Sequence, residues 1–305
     1  MKKILITLSM TLLVILPSVA KPLDLTKISL DANWLAHMDF DAMRKSEVGS
    51  FIRSSMEKIP EVIDRMNRMK EAYGVDLDNF SYLTMSGSGE RDKGIAILQG
   101  GLDLDTLLDN PKYRDRLELN LIGKHKVYTS DKGRRPMAFA ALNKGIIIGG
   151  SDTDYVSEGI NLAKGKSNYY KGHDLLQDLI LTVDQPGFLF FADLESAKLN
   201  NNLDQRAKFM TDKVKVGGIV IGEASGAIRI TAVVETINEE TSVQMEAMFR
   251  GGLAMIDLRK SSDKRLAEVL ENYSVRRKAN MIWVEIDLSG DAIMEHIQKE
   301  MRKSA

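Results

Sequence analysis

The chain of 305 residues contains no cysteine. That excludes disulfides, thiol nucleophiles, cysteine-based metal sites and a lipid anchor on an N-terminal cysteine. An exported chain without disulfides must hold its fold by burying apolar surface, and a chain this long can do so. Aromatic residues are scarce, at 6% with two Trp, which is thin for a carbohydrate-stacking surface. Neither sign of charge is in surplus, since 42 Lys and Arg stand against 43 Asp and Glu. Nucleic acid is therefore not an expected partner, because phosphate contacts need a basic excess. Past the N-terminus no apolar run approaches the length of a membrane helix.

What is present begins with an export signal. Lys2 and Lys3 precede an apolar run over 4–16, and Pro17, Ser18, Val19 and Ala20 form a small–x–small cleavage site. The sequence predicts a signal peptide over 1–20, cleaved near Ala20, and a mature protein in the periplasm or outside the cell. No transmembrane segment is expected in the mature chain.

Periodicity sets out the rest. A strand over 34–40 leads into apolar positions Val48, Ile52, Ser55, Ile59, Val62, Met66, Met69 and Tyr73, spaced by threes and fours. Pro60 falls inside this run and predicts a kink or two abutting helices. Gly74 is placed as a C-cap. Strands are expected over 80–86, 94–98, 126–129, 137–142 and 145–149, then a helix over 153–163. A polar stretch over 165–172 reads as a linker. The second half repeats the order: a helix over 174–181, a strand over 188–192, a helix near 205–212 and a hairpin over 216–223 and 227–236. Helices over 241–258 and 263–273, a strand over 279–288 and a last helix over 291–302 complete it.

Acidic or hydroxyl residues recur where strands enter helices, at Asp39, Asp103, Asp193 and Asp287, as N-capping and the helix dipole favour. The expectation is an α+β protein of two related lobes, 21–165 and 166–305. Each would be a mainly antiparallel sheet with helices on one face.

Catalytic signatures are missing. Gly159 and Gly165 frame a Lys-Ser pair, but five residues separate them where a P-loop needs four, and the segment ends a helix instead of opening one. Ser55/Lys58 and Ser261/Lys264 match Ser-x-x-Lys without the partner motifs of penicillin-binding enzymes. His37 and Asp39 share one strand face and form a possible proton-transfer pair. His125, His173 and His296 are scattered without ligand spacing, so no metal and no cofactor is expected. Met66/Met69 and Met245/Met248 are Met-x-x-Met pairs on apolar faces, where thioethers fill core space or bind soft copper. The helix carrying Met245, Met248, Phe249, Leu253 and Met255 offers one wall of an adaptable apolar groove beside Gly251-Gly252. Arg134-Arg135 and Arg276-Arg277-Lys278 are small basic clusters.

The strand with Trp34, His37 and Asp39, the run Ser46-Glu47-Val48-Gly49, the run Tyr73-Gly74-Val75-Asp76-Leu77-Asp78 and the strand-into-helix from Trp283 to Met294 resemble uncharacterised secreted bacterial proteins. The resemblance implies a duplicated α+β lobe over most of the mature chain and no particular activity. Three functions stand open. The first is a non-catalytic extracytoplasmic binding protein for a protein or apolar ligand. The second is a hydrolase using carboxylates such as Asp39 and Asp193. The third is a structural component of the envelope.

Overall fold

The computed structural model describes residues 23–90, 93–131, 136–142, 145–195 and 212–304. The expected signal peptide, Arg134-Arg135 and most of the expected helix near 205–212 lie outside the described residues.

The fold is α+β, built on one antiparallel sheet of twelve strands. The N-terminal half runs β1 (Trp34–Asp39), α1 (Phe40–Lys45), α2 (Glu47–Met56), α3 (Pro60–Tyr73), β2 (Val75–Gly87), β3 (Ile95–Leu102), α4 (Leu104–Asp109) and α5 (Pro111–Arg114). It continues through β4 (Glu118–Ile122), β5 (His125–Ser130), β6 (Met137–Leu142), β7 (Ile146–Gly150) and α6 (Thr153–Ala163). The C-terminal half runs α7 (Asp174–Ile180), β8 (Gln185–Asp193), β9 (Val214–Ala224), β10 (Ala227–Thr236), α8 (Glu239–Lys260), α9 (Lys264–Val269), β11 (Leu270–Lys278), β12 (Met281–Ser289) and α10 (Gly290–Ser304).

The halves share a plan. Each has a lead strand, a hairpin, a pair of helices, a meander whose last strand returns beside the hairpin's second strand, and a closing helix. The lead strands are β1 and β8, and they pair antiparallel at the middle of the sheet, Trp34 against Ala192 and Met38 against Phe188. The order β11-β12-β10-β9-β8-β1-β2-β3-β7-β6-β5-β4 follows outward from that seam. The N-terminal meander has four strands and the C-terminal one has two. The two expected sheets are thus halves of a continuous one.

Side chains alternate between the faces of a strand, and this places the core. On one face Leu35, Leu189, Phe191, Val220 and Val233 pack beneath α7. Ile95, Ile97, Ala140 and Ile148 of the same face pack beneath Val156, Ile160 and Leu162 of α6. On the other face of the C-terminal half, Ile282, Val284 and Ile286 meet Met245, Phe249 and Leu253 of α8. The other face of β12 is split, with Met281 and Trp283 against the core beneath α7 and Glu285 and Asp287 held in ion pairs with Arg276 and Arg229.

Candidate functional site

A mostly apolar cavity lies where β1 hands the chain to its helices. Asp39 ends β1 and caps α1, its carboxylate accepting from the Ala42 amide at 2.8 Å. Ser46 caps α2, its Oγ accepting from the Gly49 amide at 3.0 Å. A Cβ on Gly49 would sit 1.8 Å from the Met43 carbonyl oxygen, so only glycine lets α2 start this close to α1. Pro60 then occupies the first turn of α3, where its missing N–H costs nothing, and Gly74 ends α3 at φ +67°. The run with Pro60 inside it is thus two abutting helices.

This folding leaves a cleft of about 360 Å³. Its walls are Phe40 and Met43 of α1, Ile52 and Met56 of α2, Met66 of α3 and Leu77 of β2. Phe40 leans on Phe80, ring centroids 5.6 Å apart. Ile52, Met56 and Leu77 are 37%, 38% and 41% exposed, a high value for aliphatic side chains that converge on one place. α3 buries none of its residues fully, although its apolar positions recur at helical spacing. Three of the six wall residues are Met, whose unbranched side chains refit easily to different shapes.

Four charged residues also line the cleft, Arg44, Arg53, Glu57 and Asp78. Arg44 pairs with Asp41 and donates to the Phe80 carbonyl. Arg53 reaches Glu57 at 3.1 Å and Asp78 at 3.5 Å, all three side chains about half exposed. Exposed ion pairs of this kind contribute little, so Arg53 can exchange a carboxylate partner at small cost. The C-terminal helix α10 packs against α2, and the Val48 amide donates to Glu223 of β9 at 3.0 Å. The cleft is thus braced by both halves of the chain.

The five residues expected to wall a groove on α8 divide between its two sides. Met245 and Leu253 are buried against the sheet and Phe249 is half-buried there, whereas Met248 and Met255 are 51% and 60% exposed. Asp39 and Asp193 end paired strands at opposite ends, roughly 20 Å apart by strand rise. Glycosidase carboxyl pairs stand about 5–9.5 Å apart. The Asp193 carboxylate is engaged by the turn that follows it, accepting from the Glu195 amide at 3.1 Å.

His37 and Asp39 do share a face, and both are buried, yet each is held by a different partner. His37 Nδ1 meets Thr84 Oγ1 at 2.8 Å, and Nε2 has no hydrogen-bond partner among the described residues. Burial pushes the His37 pKa down to about 4 and raises that of Asp39. Two residues of the second basic cluster are paired in place, Arg276 with Glu285 and Arg277 with Glu246 and Glu239. Among the described residues no group of three His, Asp or Glu could hold a metal ion, and no helix is long and apolar enough to cross a membrane.

No family model matches the chain, and no curated protein matches it. Solved structures of TP0453 are similar to it. Crystal form III of TP0453 aligns at 7% identity and TM-score 0.49, covering 90% of this chain and 97% of that one. Crystal form I aligns at 7% identity and TM-score 0.47, over 92% and 98%.

The sequence pointed to Ile52 and Met66 as members of an apolar helical face but not to the cleft. The available signal was a surplus: two short helices carry apolar stripes, and the lead strand beside them already has its own core.

Proposed function

We propose that this is a non-catalytic, extracytoplasmic binding protein for a small amphipathic molecule. Its apolar body would occupy the cleft between α1, α2, α3 and β2, and an anionic or strongly polar head would lie at Arg53. The export signal, with its positive start and small–x–small end, supports the extracytoplasmic part. The observation that carries the binding part is a mostly apolar cleft of about 360 Å³ that Arg53 also lines, its carboxylate partners Glu57 and Asp78 exposed and exchangeable. Ligand pockets span about 300–1,000 Å³, mostly apolar with a few placed polar groups. A volume near the lower bound suits a short acyl chain or a compact ring system better than a folded partner.

A sulfonated naphthalene dye, both apolar and anionic, is a direct probe. Titration should give saturable fluorescence that a medium-chain fatty acid displaces. Ile52→Glu places a charge in the wall and should weaken dye binding by about tenfold or more. Arg53→Gln should weaken the anionic dye and leave an uncharged analogue nearly unaffected. Leu181→Glu, at a side chain 81% exposed away from the cleft, serves as control. Dye binding that is unaltered by Ile52→Glu removes this reading.

A further inference from the structure

α8 is apolar on the side that faces away from the sheet as well as on the side that packs against it. Met245 and Leu253 fix the buried side. On the outward side Ala247, Met248, Gly251, Ala254, Met255 and Leu258 are all exposed, and no charged side chain interrupts that strip between Glu240 and Arg259. Positions 247, 251, 254 and 258 follow the four–three spacing of a helix–helix seam. An added Cβ at Gly251 or Gly252 would meet nothing within 4 Å. Packing within the chain therefore gives no reason for two glycines in mid-helix, where they are poor helix formers.

We infer that this strip is a self-association surface, on which α8 of a second copy of the chain packs antiparallel about a two-fold axis at Gly251. The sequence of the strip is complementary to its own reverse. Met255 of one copy meets Ala247 of the other, Met248 meets Ala254, and Gly251 meets Gly251, so the methionines fall on small residues, while Leu258 at each end of the seam lies against the exposed Gln244 of the other copy. The charges agree with the same orientation. Glu239 and Glu240 occupy the first turn of α8, and Arg259 and Lys260 the last. Antiparallel packing brings Glu240 of each copy within a helical turn of Arg259 of the other, and it opposes the helix dipoles favourably. Parallel packing would set acid on acid and base on base.

The extent of the seam fixes its strength. A helix of 22 residues is roughly 33 Å long, and a strip about 10 Å wide on two copies buries on the order of 700 Å². Stable complexes bury about 1,200 Å² or more. The dimer is therefore weak and forms with rising concentration. It does not depend on the cleft, which lies on other helices.

The absence of cysteine makes the test direct. Gly251→Cys puts a single thiol on the two-fold axis, in open space that accepts it. Mild oxidation at high micromolar concentration should give a covalent dimer, and Arg68→Cys on the exposed side of α3 should not. Ala247→Cys and Met255→Cys should cross-link with each other when mixed and poorly when alone, since the two-fold brings unlike positions together. Sedimentation of the unmodified chain should show a monomer–dimer equilibrium that Met255→Glu weakens by about tenfold or more; circular dichroism confirms that the variant is folded. Glu240→Arg and Arg259→Glu should each weaken it, and the double variant should restore it. Cross-linking at Gly251→Cys no greater than at Arg68→Cys overturns the inference. So does a chain that stays monomeric while co-sedimenting with phosphatidylglycerol–phosphatidylcholine vesicles, which would make the strip a lipid-facing one.

Discussion

His37 shows what one residue in the middle of a shared sheet does to the molecule. It lies on β1, with the strands β2 and β8 on either side, and only 5% of it is exposed. Desolvation disfavours its charged form, so the native pKa falls to about 4 while the unfolded chain keeps the ordinary value of 6.5. Between those values the unfolded state binds a proton that the native state refuses. Stability should therefore be full above about pH 6.5 and fall as pH drops toward 4, by about 3 kcal/mol in all. Urea midpoints at pH 7 and pH 4.5 measure this, and His37→Gln should flatten the difference. A wild-type midpoint insensitive to pH in that window would mean that His37 is protonated in the folded chain. The shared face of His37 and Asp39 was legible from their spacing of two. Their separate engagements were not, because Thr84 lies 47 positions away on β2 and the Asp39 carboxylate turns to its own helix.

At the scale of elements, local signals located turns and caps well and lengths poorly. Pro60 and Gly74 marked the start and end of α3, because each acts through its own backbone. The segment expected as one helix over 263–273 is instead α9 followed by the strand β11. Leu270, Tyr273 and Val275 of that strand face the helices or β12, and no alternation within nine residues announces a strand that forms the edge of the sheet. β4 escaped notice for a related reason, since Leu119 and Leu121 stay 56% and 71% exposed and no core specifies them. The corner between α1 and α2 yields a sharper expectation. Gly49→Ala forces a methyl group into the Met43 carbonyl, which backbone cannot yield cheaply, and should cost about 2 kcal/mol or more of stability. Because Met43 lines the cleft, the same variant should weaken dye binding as the corner opens. Gly251→Ala, in open space within α8, should stabilise the chain by up to about 1 kcal/mol. Thermal melts of the two variants side by side would separate a glycine the fold requires from one it does not.

The whole molecule depends on the seam between β1 and β8. The core beneath α7 draws Ile28, Ala32 and Leu35 from before and within β1, and Leu176, Leu189, Phe191 and Val220 from the second half. Neither half can complete that core alone, although each repeats the same plan of strands. The repeat was visible in the order of elements. The fusion of two sheets into one was not, because pairing between strands 150 residues apart leaves no local trace. Fusion has a measurable consequence. Phe191 is 1% exposed and lies opposite Leu35 across the seam. Phe191→Ala removes a large buried ring and should cost about 3–5 kcal/mol. If the halves were independent lobes, that loss would appear only in the C-terminal half. In a continuous sheet it must also loosen β1, and with it the helices that frame the cleft. Hydrogen exchange should then show β1 and β2 losing protection together with β8 and β9, and denaturant unfolding should remain a single transition at a lower midpoint. Exchange confined to the C-terminal half, or a second transition that keeps its wild-type midpoint, would establish two lobes that merely touch.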